Sequence, residues 1–427
     1  MKFLWAIFSN FFSVRGKLGL LIQLLGFVLA FGISLLLTNI YGDKAYGNYV
    51  VVFSSLDVLA IFSLIGFNQL FARFIPQWSD DQIKINGLYQ LGKKNALRNS
   101  IIFALLTFVF AWIYPFNDPI LFWFVAIACL LLPILALTVL QSSFLYSLGK
   151  DLWTQLNEKV IKSTIFIIVI LFLSLQDIQS DQIIWAFAIS TLCSFGIVYF
   201  LKRNYFSNPI NTVKHDFETE KKTIILLVAI NLINLLFSKT DTLMVGYYLG
   251  TEFSGVNNIY LKITGIMGLA MTGMMLASSP IISEQFALGR IDLVRKELKR
   301  VSRFTFSIGV IVFLGIVLIS PWVFNLYQSS LYGDNLMALY TYAVSALFNL
   351  FTGPATVVLL LSNKLKYLIY GYSLEFGLNF LLNMLLIPKY EIQGAAWATL
   401  FSEGVINGYF AYICFRAFRL NTLLIGR

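Results

Sequence analysis

The sequence predicts an all-α integral membrane protein of about twelve transmembrane helices, in two six-helix lobes related by a pseudo-twofold axis around a central cavity. Three observations predict it. Apolar residues make up 58% of the 427 residues and charged residues 12%, too few charges for a water-soluble domain. The apolar residues gather into continuous stretches near 18–41, 46–73, 98–115, 119–148, 158–176, 182–201, 222–250, 254–283, 303–327, 335–361, 365–387 and 392–415, each long enough to cross roughly 30 Å of hydrocarbon. Positive charge is one-sided. With the N-terminus cytoplasmic, all 31 Lys and Arg except Lys44, Lys239, Lys262 and Lys389 fall in cytoplasmic loops, helix ends or termini, which sets the orientation, with both termini inside.

The stretches are continuous rather than alternating, so each is expected to be a helix. Residues 1–17 mix Lys2, Arg15 and Lys17 with Phe3, Trp5, Phe8, Phe11 and Phe12. They lack a small-residue cleavage site and read as an interfacial anchor. The N-lobe follows over 18–201, then a cytoplasmic linker at 202–221, the C-lobe over 222–415 and a cytoplasmic tail at 416–427. Outer loops are short. The longer loops, 74–97, 202–221 and 284–302, are cytoplasmic. Within 290–303, Arg290, Arg295, Lys296, Lys299, Arg300 and Arg303 interleave with Ile291, Leu293, Val294, Leu298 and Val301, a basic amphipathic helix expected to lie along the inner surface. It reads as topology charge, or as a contact for anionic headgroups or substrate phosphates.

An internal repeat supports the two lobes. Tyr41-Gly42-Asp43-Lys44-Ala45-Tyr46-Gly47 follows the first span, and Leu249-Gly250-Thr251-Glu252-Phe253-Ser254-Gly255 follows the seventh. Both are tight turns with the same glycine spacing. Six spans per half is an even number, so the halves point the same way.

The net charge of +10 follows from the inside bias rather than from nucleic-acid binding. Cys129, Cys193 and Cys414 lie in apolar segments without ligand spacing, and the one histidine, His215, lies in a polar loop. No metal-based or histidine-based catalytic centre is expected.

Six ionisable residues fall inside spans: Asp57, Lys239, Asp241, Lys262, Glu375 and Glu403. A charge at the bilayer centre costs at least about 2.5–3.5 kcal/mol, so these should face one another or water. At about 1.5 Å per residue they lie at similar depths. Lys239 and Lys262 read as anchors for an anionic substrate, with Asp57 beside them and Arg73 and Arg303 at the cytoplasmic mouth. The alternative is structural ion pairing of Asp57 with Lys239 or Asp241 with Lys262. Glu375 and Glu403 share a hairpin and could carry a proton. Asn379 and Asn383 share a helix face. With Thr399 and Asp241 they suit a small hard cation, or helix–helix hydrogen bonding. Gly353-Pro354 should kink the tenth helix.

The chain resembles the polysaccharide-export branch, the O-antigen or repeat-unit flippases, of the multidrug/oligosaccharidyl-lipid/polysaccharide (MOP) transporter superfamily. The resemblance is carried by Tyr41-Gly42 through Tyr46-Gly47-Asn48-Tyr49, Leu64-Ile65-Gly66-Phe67 to Arg73-Phe74-Ile75, and Thr240-Asp241-Thr242-Leu243-Met244-Val245-Gly246 to Ser254-Gly255. It continues through Asn379, Asn383, Leu386-Ile387-Pro388 and Gly394-Ala395-Ala396-Trp397-Ala398-Thr399. It implies a V-shaped pair of lobes in a bacterial inner membrane, with segments one, two, seven and eight lining a cationic cavity. The implied act is moving undecaprenyl-diphosphate-linked oligosaccharide outward by alternating access, for O-antigen, lipopolysaccharide or other surface polysaccharide. The related lipid II flippases imply a sodium site, here at Asp241, Asn379, Asn383, the Ala395 carbonyl and Thr399. A second acid expected on segment eleven is Asn383 in this chain.

No cofactor is implied beyond a coupling sodium ion or proton. The partners implied are the lipid-linked oligosaccharide, membrane lipids and other glycan-assembly proteins, with no nucleic acid. A cation-coupled multidrug exporter of the same superfamily is the alternative, which the basic cavity residues disfavour. A glycan polymerase or ligase would need a sizeable outer loop carrying catalytic groups, and none is present.

Overall fold

The computed structural model describes residues 14–78, 81–113, 119–176, 179–203, 221–362 and 364–420. The expected anchor at 1–17, the linker at 202–221, His215 and the tail at 416–427 fall largely outside them. The described residues are helical. In order they form α1 (Val14–Tyr41), α2 (Asp43–Ser63), α3 (Phe67–Phe74), α4 (Gln82–Ile113), α5 (Pro119–Ser147), α6 (Asp151–Gln155), a π-turn (Leu156–Ile161), α7 (Lys162–Ser174) and α8 (Gln182–Arg203). Then come α9 (Lys221–Leu249), α10 (Thr251–Ala287), α11 (Ile291–Phe324), α12 (Leu331–Asp334), α13 (Leu336–Thr352), α14 (Ala355–Leu361) and α15 (Leu365–Phe418).

Seven of these helices are long and apolar enough to cross a membrane, and two bent pairs raise the number to nine. The other three expected spans are also helical. Segment five is divided by the π-turn, and segments eleven and twelve are the two arms of α15, which turns at Glu391 (φ 52°, ψ −137°). At that hairpin the Gly394 backbone is pressed against Leu386, whose carbonyl oxygen would lie 2.4 Å from any Cβ.

The helices cluster into two compact units, Ile22–Leu235 and the residues from Leu236 onward together with the start of α1. In the first, α2, α4 and α5 pack on one another and α5 packs on α8. In the second, α10, α11 and α13 do the same and α13 packs on α15. The order of packing therefore repeats, as does its punctuation. Gly42 (φ 87°, ψ 166°) precedes α2 and Gly250 (φ 113°, ψ 159°) precedes α10, both in a region of backbone space that is essentially reserved for glycine.

Three expectations change. The second span does not run unbroken from 46 to 73. It stops at Ser63 and restarts at Phe67 through Ile65 (φ 44°) and Gly66 (φ 78°). Asn99 Nδ2 donates to the Ser63 carbonyl at 3.0 Å, which satisfies one of the groups freed by the break. A Cβ on Gly66 would sit 1.9 Å from Val228. Residues 82–97, expected in a loop, form the first half of α4. The basic stretch 291–303 does not lie apart along a surface but runs straight into the ninth span as the 34-residue α11. In both cases the apolar window ends at the charges, whereas the helix continues because no proline interrupts it. The tenth span does break at Gly353-Pro354, with a 48° bend between α13 and α14.

Gly42→Val and Gly250→Val should each cost about 1–3 kcal/mol through their forced backbone angles. Thermal melting of the solubilised protein should show the loss. Gly32→Val, whose Cβ would meet nothing within 4 Å, should melt like the parent.

Candidate functional site

The second unit is built around one buried carboxylate. Asp241 sits on α9, and α13 and both arms of α15 pack donors against it. Asn383 Nδ2 donates to Asp241 Oδ1 at 2.7 Å and Asn379 Nδ2 to the same oxygen at 3.1 Å. The Tyr342 hydroxyl lies 3.1 Å from Oδ2, and the Thr399 hydroxyl donates to Oδ2 as well. Tyr342 also reaches Asn257 Oδ1 on α10 at 2.9 Å. Asp241 is 5% exposed and both asparagines are fully buried. All four partners are neutral. The structural alternative of an Asp241–Lys262 ion pair is therefore not what the fold adopts.

Two buried atoms at this cluster, Asn383 Oδ1 and Asn257 Nδ2, have no hydrogen-bond partner among the described residues. One carboxylate, two amide oxygens brought inward by rotating Asn379 and Asn383, and a hydroxyl form an oxygen set suited to a small hard cation. The orphaned Asn383 oxygen fits that use. Ala395 is buried on the same arm as Thr399. Among the described residues no group of three or more His, Cys, Asp or Glu could hold a metal ion.

The other two carboxylates lie one helical turn away. Glu375 precedes Asn379 by four residues on one arm of α15, and Glu403 follows Thr399 by four on the other. Ser345, three residues after Tyr342 on α13, donates to Glu403 Oε2 at 2.6 Å. Glu375 is 6% exposed and lies in the electrostatic field of Glu403, which in turn lies in that of Asp241. The fold thus brings together all six residues expected to couple cations or protons: Asp241, Glu375, Asn379, Asn383, Thr399 and Glu403.

The five residues expected at the substrate cavity divide between the units. Lys239 and Lys262 are half-buried on α9 and α10, each within the field of the other. Arg303, exposed on α11, joins Lys296, Lys299 and Arg300 along a cavity of about 900 Å³ that continues past Phe304, Ile308 and Ile311. In the first unit Arg73 is half-buried on α3, its Nε without a partner among the described residues.

Asp57, on α2 of the first unit, exposes what sequence reasoning missed. It lies in the field of Lys162 and Glu158, and the charge count places Lys162 at a cytoplasmic helix end. The Lys162 ammonium sits 4.9 Å from the centre of the Phe187 ring and 5.7 Å from that of Phe53, cation–π distances. Tyr49 and Phe166 complete this aromatic wall. The i,i+4 spacing of Glu158 and Lys162 inside an apolar stretch was the available signal.

A model of a family described as Polysaccharide biosynthesis protein matches residues 18–286, and one described as MatE matches residues 227–385. No curated protein matches in sequence. Among solved structures, an inward closed conformation of the lipid II flippase MurJ superposes with a TM-score of 0.68 at 14% identity, over 94% of this chain and 87% of that one. An inward-facing multidrug resistance MATE family transporter of the MOP superfamily gives 0.68 at 14% identity over 93% and 94%. A MOP superfamily transporter from Pyrococcus furiosus Vc1, described as having a binding pocket of reverse polarity, gives 0.65 at 15% identity over 94% of each chain. At these identities the likeness is one of fold: all-α, with twelve helices in two lobes.

If Asp57 and Lys162 interact directly, Asp57→Asn and Lys162→Met should not add. A double-mutant cycle by chemical denaturation should give a coupling of about 0.5–3 kcal/mol, and strict additivity would assign each a separate environment.

Proposed function

The chain belongs to the polysaccharide biosynthesis protein family of the MOP transporter superfamily, and on that premise we propose that it flips undecaprenyl-diphosphate-linked oligosaccharide repeat units from the cytoplasmic to the outer face of a bacterial inner membrane. The observation that carries the reading is the pair of half-buried lysines, Lys239 and Lys262. Two ammonium groups at membrane depth repel each other and are costly to hold in hydrocarbon. An anionic ligand turns that cost into attraction, and a diphosphate brings two adjacent charges. The basic run on α11 supplies an entry point of the same chemistry. Lys296, Lys299 and Arg303 would meet phosphates on the cytoplasmic side while Phe304, Ile308 and Ile311 meet the lipid chain.

Asp241, Asn379, Asn383 and Thr399 would hold a coupling sodium ion. Bound there, the ion would supply the positive charge that four neutral donors do not. The protein's own part is to present the carboxylate on α9 to both arms of α15. A change in the charge balance of this cluster then changes how tightly α9, α13 and α15 are held together. Protonation of Asp241 would serve the same end, and Glu403 and Glu375, one turn away, offer further sites for a proton.

The second reading is a cation-coupled multidrug exporter, favoured by the MatE match over residues 227–385. The lysine pair argues against it, because a cationic drug would be repelled where the diphosphate is attracted.

Lys239→Ala and Lys262→Ala should each abolish surface glycan, with complete lipid-linked repeat units accumulating on the cytoplasmic face and the protein retained in the membrane. Intact surface glycan together with altered drug tolerance would favour the exporter. Replacing potassium by sodium at constant ionic strength should raise the melting temperature of the parent protein, by the linkage expected of a ligand that binds the native state. Asp241→Asn should lose the effect. Identical melting in the two salts would leave protons as the coupling ion.

A further inference from the structure

The first unit contains a cavity of about 350 Å³ whose lining has an unusual chemistry for a membrane protein. Asn68 and Gln69 reach it from α3, Gln23 from α1, Ser142 and Ser143 from α5, and Gln155 from the end of α6. These are amides and hydroxyls, each able both to donate and to accept. Tyr146 is among its lining residues. The two charged liners, Glu158 and Lys159, are adjacent and opposite, so the cavity is close to neutral.

Much of this polar capacity is unspent. Among the described residues, the side chains of Asn68, Gln69 and Ser142 make no hydrogen bond, and Gln23 meets Gln155 at 3.4 Å, near the limit of a hydrogen bond. The cavity is also shaped by two departures from regular helix. The break at Ile65-Gly66 starts α3 at Phe67 and so places Asn68 and Gln69 in its first turn. The π-turn at Leu156–Ile161 carries Glu158 and Lys159, and π-turns are frequent at functional sites. Gly26 lets α1 close on that turn, for a Cβ there would lie 2.7 Å from Lys159 Cβ.

We infer that this cavity binds an uncharged sugar ring of the lipid-linked glycan, an inference that rests on the flippase reading above. Sugar hydroxyls match amides and hydroxyls that donate and accept at once, and the apolar face of a sugar ring matches an aromatic side chain. A diphosphate would need more than one lysine beside a carboxylate. A lipid chain would need an apolar lining. A cationic ligand would meet Lys159 as readily as Glu158. The sugar would be read by the amides of α1, α3 and α6.

The test compares two probes on the purified full-length protein in nanodiscs: undecaprenyl diphosphate carrying a single N-acetylglucosamine, and the same lipid without sugar. The parent should bind the first about tenfold more tightly, the gain that one or two net hydrogen bonds provide. Asn68→Ala/Gln69→Ala should remove that preference and leave affinity for the bare lipid unchanged. Ser142→Ala, a smaller change that should spare the fold, should reduce the preference in part. A preference that survives in both variants overturns the sugar site, as does a parent that binds the two lipids equally. A parent that binds neither lipid overturns the flippase reading itself, and this inference with it.

Discussion

Hydrocarbon offers no hydrogen bonds, and the protein's interior is organised around that constraint. A buried carboxylate must be met by the protein, and Asp241 is met four times by donors from α13 and both arms of α15. This one set of contacts joins α9 to two helices that begin about a hundred residues later in the chain. It also fixes the rotation of each, because an asparagine pair four residues apart can reach a single acceptor only from one face. Its donors are neutral, so a charge on Asp241 is solvated there but not cancelled.

The two units meet the constraint with the same helical framework and different contents. Both begin a long helix immediately after a glycine in an otherwise forbidden conformation, and both pack their helices in the same order. The second unit gathers its charge into a line of carboxylates running from Asp241 through Glu403 to Glu375. In the first, Asp57 lies in the field of Lys162, whose ammonium stands over the rings of Phe53 and Phe187, with Tyr49 beside them. Duplicated architecture with divergent polar contents suits a protein whose halves handle different chemistry.

The breaks in the helices fall where polar groups are wanted. Ser63 gives up its helical bonding and gains Asn99, and beyond it α3 restarts with two amides in its first turn. The π-turn ahead of α7 leaves Asn157 bonded to Ser194 at 2.8 Å and carries the charged pair Glu158 and Lys159. Gly353-Pro354 divides the tenth span close to the hairpin that carries Glu375 and Glu403. Each break exposes backbone groups that a regular helix would have hidden, and each is accommodated inside its unit by a neighbouring side chain or a glycine.

The sequence by itself determined the fold class, the order of the apolar spans, the paired glycine turns and the α15 hairpin. These depend on local composition: runs of apolar residues, glycine at set intervals, and charges counted on either side of a segment. It also grouped Asp241 with Asn379, Asn383 and Thr399 as one of two readings, because the two asparagines share a helix face and the resemblance implies a common site. Only the tertiary structure decided that Tyr342 and Asn257 complete that cluster, that Lys162 comes within the field of Asp57, and that an amide-lined cavity opens beside the π-turn. A helical wheel gives the face on which a side chain stands but not the helix it faces, and that pairing is fixed by packing between segments that the linear order leaves far apart.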